Sequence, residues 1–283
     1  MPLNEWWNPL FVILFVYLLI CIHSLLEVIK TRRKLTKATD FTSAHRSRLL
    51  FYLLLLLAAL TRLAVLVQQT IQSFQGDEPR SWEYDWLHLV PVLFFLSAFS
   101  VIVVFFSRLY HATLSIHSTI LSSFYYYLNL ITYIVFLFIS IFTLGQQPNS
   151  TTMTAFKRQS FICFAISFYI SAGALFYYGY HISTSLSNAI YIRSGLDPRS
   201  FLKKRCLLLM IVIGSVFTLR GTFFLAESFL KSEFRPSFLS DVVWEVCYFL
   251  MAEGLPSIFC CYLLNVKPKK NKKADTLLVN VEG

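Results

Sequence analysis

The chain has 283 residues, of which 56% are hydrophobic and only 14% charged, against about 25% charged in soluble globular domains. With 28 Phe and 15 Tyr, this balance excludes an ordinary soluble domain, because most of the surface must meet something other than water. The formal net charge of +10 raises nucleic acid as a partner. The basic residues, however, sit in short gaps between apolar runs, with no basic helix or binding motif outside them, which argues against direct nucleic-acid binding.

Seven apolar runs follow one another near residues 9–29, 49–72, 87–107, 123–144, 159–181, 206–228 and 241–265. Each suits the roughly 20 residues that a helix needs to cross a hydrocarbon core of about 30 Å. The fold class predicted is an all-α membrane protein: a seven-transmembrane helix bundle over 1–266, then a basic, disordered tail over 267–283. The first run has no basic start and no A-x-A-like site after it, so it is expected to remain as a span rather than be cleaved as a signal peptide.

The gaps set the orientation. The first holds Lys30, Arg32, Arg33, Lys34, Lys37, Arg46 and Arg48 against Asp40. The second holds Asp77, Glu78, Glu83 and Asp85 against Arg80, the third Arg108, and the fourth Lys157 and Arg158. The fifth holds Arg193, Arg199, Lys203, Lys204 and Arg205, the sixth Lys231 and Arg235, and the tail Lys267, Lys269, Lys270, Lys272 and Lys273. Odd gaps and tail together carry 18 basic residues and even gaps 5, which the positive-inside rule reads as a cytosolic tail and an N-terminus outside. Trp6, Trp7, Trp82, Trp86 and Trp244 all fall at ends this topology places outward, the interfacial position tryptophan prefers. The clusters Arg32-Arg33-Lys34 and Lys203-Lys204-Arg205 form a cationic platform for anionic cytosolic lipid and acidic protein patches. Asn149-Ser150-Thr151 matches a glycosylation acceptor on the outward side.

Three ionisable residues lie deep inside spans: Arg62, Arg220 and Glu253. Such residues are expensive in lipid and face the bundle interior. At about 1.5 Å per residue, all three fall roughly 18–21 Å from the inner boundary, in one layer. Two readings follow: an internal ion pair that fixes helix packing, or a polar ligand or ion site built on the same charges. Two arginines against one glutamate leave a positive charge that favours an anionic guest or another acceptor, such as a carbonyl at a helix kink. Pro256 supplies that kink, since it cannot donate to the carbonyl of Ala252. Glu227 and Glu245 are expected nearer the outer rim.

Catalysis finds no support in the residues. The six histidines are scattered, mostly at membrane borders, and no nucleophile elbow, P-loop or zinc-protease signature occurs. All six cysteines lie within apolar runs, so neither an extracellular disulfide framework nor a metal site is expected. The chain is expected to be no enzyme and to need no cofactor.

The third run reads PVLFFLSAFSVIVVFFSRLYHA from Pro91 to Ala112, and the seventh contains YFLMAEGLPSIFCCYLL. Through Pro91, Leu93, Phe95, Ser97, Phe105, Tyr110 and His111, and through Tyr248, Glu253, Leu255, Pro256 and Ser257, the chain resembles the plant tobamovirus multiplication protein family and its animal orphan-receptor-like relatives. The intramembrane arginines of that family are matched by Arg62 and Arg220. The chain departs from it at Arg108, where the family tends to carry glutamate, and at Val92, where it carries glycine. The resemblance implies a seven-helix protein of vacuolar or lysosomal-type endomembranes, with the plasma membrane as the alternative. It also implies a non-catalytic receptor or scaffold that recruits small GTPases, or viral replication proteins in plant-type hosts. A transporter or ligand-responsive receptor using the Arg/Glu layer is the rival reading. Class-A receptor hallmarks are missing: no acidic residue precedes Arg108, and no N-P-x-x-Y ends the seventh run.

Overall fold

The computed structural model describes residues 7–37, 43–75, 82–113, 120–145, 150–191, 198–229 and 248–265. The elements are α1 (Trp7–Lys37), α2 (Ser43–Gln75), α3 (Trp82–Thr113), α4 (Ile120–Gly145), α5 (Ser150–Tyr191) and α6 (Pro198–Phe229). A π-helical turn, Leu250–Gly254, then runs into α7 (Leu255–Asn265). Helix is what these sequences must form in hydrocarbon, where only a ladder within the segment satisfies every backbone N–H and C=O.

Among the described residues, six helices are long and apolar enough to cross a membrane, over Phe11–Arg33, Arg46–Ile71, Trp86–Arg108, Tyr125–Thr143, Thr154–Thr184 and Leu207–Phe229. The last described apolar segment, Leu250–Tyr262, is shorter. The start of the expected seventh span at 241–247, with Trp244 and Glu245, lies outside the described residues, as do the tail and Asn149. Helix and span do not coincide. At 42 residues, α5 is about 63 Å long, twice the thickness of a hydrocarbon core, so its polar ends continue past the apolar stretch.

Packing sorts the helices by depth. The apolar window of α3 is 83% buried and that of α4 only 22%, making α3 the central helix and α4 a peripheral one. On α1 the residues Phe11, Phe15, Leu18, Ile22 and Leu26 are exposed, and on α4 so are Ile134, Phe138 and Ile141. Apolar faces of this extent need lipid to cover them. Polar side chains tie α4 to its neighbours: Ser97 Oγ donates to Asn129 Oδ1 at 3.1 Å, and Thr132 and Ser167 hydroxyls lie 2.9 Å apart.

Helices α5 and α6 form an antiparallel hairpin. Tyr169 meets Thr222 at 2.8 Å, Gly214 packs on Phe176, and Arg158 lies over the Phe229 ring at the far end. Gly214 permits this approach, since a Cβ there would sit 2.7 Å from the Phe176 ring.

The opposite end of the bundle gathers the basic residues. Arg48 Nη2 donates to Glu27 at 2.7 Å, Arg108 Nη1 to Ser47 at 3.3 Å, and Tyr110 packs on the Tyr178 and His181 rings. The last turns of α1, α3 and α5 and the first turns of α2 and α6 therefore share one end.

Candidate functional site

The polar centre of the bundle is the layer formed by Arg62, Arg220 and Glu253, which are 1%, 2% and 0% exposed. Each comes from a different helix: Arg62 from α2, Arg220 from α6, and Glu253 from the π-helical turn before α7. Arg62 approaches side-on, with Nε donating to Glu253 Oε2 at 2.9 Å and Nη2 to Oε1 at 2.5 Å. Arg220 Nη2 donates to the same Oε1. Tyr17 of α1 completes the set, its hydroxyl donating to Oε2 at 2.7 Å. An ionised carboxylate offers about four acceptor positions. Here four donors from three helices fill them.

Local sequence explains why Glu253 is presented this way. Over Leu250–Gly254 the backbone winds one residue wider, so that the Leu255 N–H bonds to the Leu250 carbonyl. Pro256 follows with no N–H to offer Ala252. The Ala252 carbonyl instead accepts from Arg220 Nη1 at 3.3 Å. The acceptor expected at the proline is thus the one that meets the second arginine. Ser257 Oγ donates to the Glu253 carbonyl at 2.6 Å, closing the next backbone position.

Aromatic faces complete the shell. The Arg62 guanidinium lies 4.4 Å from the Phe249 ring centroid, and that of Arg220 lies 5.3 Å from Phe168 and 5.7 Å from Phe224. The ring faces attract the two cations electrostatically, more strongly where water is excluded. Chemically, the layer is suited to locking α1, α2 and α6 onto the last helix. With all its acceptor positions occupied, Glu253 is poorly placed to shuttle a proton.

The structure brings Arg62, Arg220, Glu253 and Pro256 together. Tyr17, Phe168, Phe224 and Phe249 were not legible beforehand, although Tyr17 carried one signal: a hydroxyl mid-span, away from the interface where tyrosine is usual. Of the basic platform, Arg32, Arg33 and Lys204 are exposed at the shared basic end. Lys34 lies in α1 and Lys203 and Arg205 in α6, their side chains outside the described residues. Glu27, on the basic end of α1, is bound by both Lys30 and Arg48.

Six apolar helices, lipid-facing surfaces and a charge layer buried at the centre define an integral, multi-pass helical membrane protein. The chain matches the THH1/TOM1/TOM3 domain over residues 3–280. It belongs to that family, the tobamovirus multiplication proteins. No individual curated protein and no solved structure matches it.

Proposed function

We propose that this protein is a non-catalytic scaffold of vacuolar or lysosomal-type endomembranes. It crosses the membrane seven times with the N-terminus outside, and its basic end recruits soluble partners from the cytosol. The seventh crossing is the run at 241–265, which carries Glu253. Small GTPases are the partners the family resemblance suggests, or viral replication proteins in plant-type hosts.

One observation carries the reading: Arg32, Arg33 and Lys204 stand exposed on helical extensions at one end of the bundle. Helix α6 begins at Pro198 and its apolar window only at Leu207, so Arg199, Lys203, Lys204 and Arg205 occupy turns before the membrane. Arg32, Arg33, Lys34 and Lys37 continue α1 at the same end. Cationic residues placed in this way steer acidic protein patches and anionic lipid toward the membrane. The family match supports a membrane scaffold in the same sense. The full occupancy of Glu253 disfavours a transport path through the layer.

Proximity labelling from the C-terminal tail in native cells tests the proposal. Small GTPases or trafficking proteins should be recovered reproducibly, and lost when Lys203, Lys204 and Arg205 are replaced by Gln. Substrate flux in proteoliposomes containing only this chain would overturn it.

A further inference from the structure

Arg220 is only partly used by the layer. Its Nη2 binds Glu253 and its Nη1 binds the Ala252 carbonyl, yet its Nε is buried without a hydrogen-bond partner. The Tyr248 hydroxyl is likewise buried and unpartnered. Both residues lie at the contact between α6 and the last helix. Tyr248 precedes Ala252 by one helical turn, and its ring packs at 4.4 Å between centroids on Phe223, one turn beyond Arg220 on α6. Buried donors are nearly always paired, so two orphans on one seam call for an acceptor.

Charge narrows what that acceptor is. The layer holds two guanidinium groups against one carboxylate, all at most 2% exposed. The next carboxylate along α6, Glu227, is exposed seven residues further on. A net positive charge in a water-poor interior is costly unless an anion meets it. Water could take both hydrogens but would leave the charge in place. A cation is repelled, and a large polyanion has no room in a helix seam packed by Phe223 and Phe224.

We propose that the seam between α6 and the turn Tyr248–Ala252 binds a small monovalent anion of halide size, held by the Arg220 Nε–H and the Tyr248 hydroxyl. The anion neutralises the second guanidinium and ties α6 to the last helix through a further, exchangeable contact. Halide concentration then modulates how firmly these two helices are joined.

Thermal unfolding of the purified full chain tests this, in sodium chloride or bromide against sodium gluconate at equal ionic strength. Halide should raise the midpoint in a saturable way, by about 5 °C once its concentration is ~100 times the dissociation constant. Tyr248→Phe keeps the ring and removes only the hydroxyl. In gluconate it should melt at or slightly above the wild type, because a buried orphan hydroxyl is gone. It should then need about tenfold more halide for the same shift. Identical midpoints in chloride and gluconate for the wild type would overturn the proposal and assign water to the seam. An undiminished halide response in Tyr248→Phe would overturn it as well.

Discussion

Replacing Glu253 by Gln is the sharpest perturbation of the layer. The carboxylate accepts two hydrogens on each oxygen. A carboxamide keeps one acceptor oxygen and turns its NH2 toward donors, so two of the four contacts become unfavourable. In halide-free buffer it also leaves two guanidinium groups buried with no counter-charge. Removing one partner of a buried pair costs about 3–5 kcal/mol, and stranding two cations puts Glu253→Gln at the upper end. For a chain of this size that corresponds to a drop in Tm of roughly 8–15 °C. Removing one arginine instead leaves a neutral pair, so each Arg→Gln variant should cost less than Glu253→Gln. Arg62, with two nitrogens on the carboxylate, should cost more than Arg220, with one. The assay is thermal unfolding in detergent for Glu253→Gln, Arg62→Gln, Arg220→Gln and the double variants. Glu253→Gln combined with Arg62→Gln should be no worse than Glu253→Gln alone, because the second change removes a stranded charge. Strictly additive losses, or an unchanged Tm in Glu253→Gln, would refute the reasoning.

Other consequences are equally open to measurement. Tyr17→Phe removes one hydrogen bond to a charged acceptor and should cost about 1.5–3 kcal/mol in the same unfolding assay. Gly214→Val drives a methyl into the Phe176 ring and should destabilise the α5–α6 hairpin by about 1–3 kcal/mol, read as a lowered Tm. Changing Lys203, Lys204 and Arg205 together to Gln should leave stability within about 0.5 kcal/mol, since these positions precede the apolar window of α6. The same triple variant, reconstituted at matched density, should bind acidic protein more weakly and with less salt dependence.

The sequence revealed the layer because an ionisable residue in an apolar run is conspicuous and its depth follows from counting. Arg62, Arg220 and Glu253 could be assigned to one level before any contact was known. The aromatic shell could not: Phe168, Phe224 and Phe249 are three of 28 phenylalanines, and nothing local distinguishes a ring beneath a guanidinium from one facing lipid. The π-helical turn was hidden for another reason. Pro256 announces a missing backbone donor, but whether the chain kinks or widens depends on what reaches the freed carbonyl, here Arg220 from another helix. Hydropathy also marked the membrane and not the helix ends. The run at 159–181 became a helix from Ser150 to Tyr191 because its polar flanks remain good enough helix formers when packed on α6. A like overshoot of α1 and α6 puts Arg32, Arg33 and Lys204, which read as loop charges in the sequence, on helix.

Recruitment from the cytosol requires the basic end to face that compartment, and accessibility labelling decides this directly. On a cysteine-free background in sealed vesicles of known orientation, Lys204→Cys should react with a membrane-impermeant reagent only from the cytosolic side, and Asn149→Cys only from the lumenal side. Labelling of Lys204→Cys from the lumen would place the platform out of reach of cytosolic partners and contradict the account.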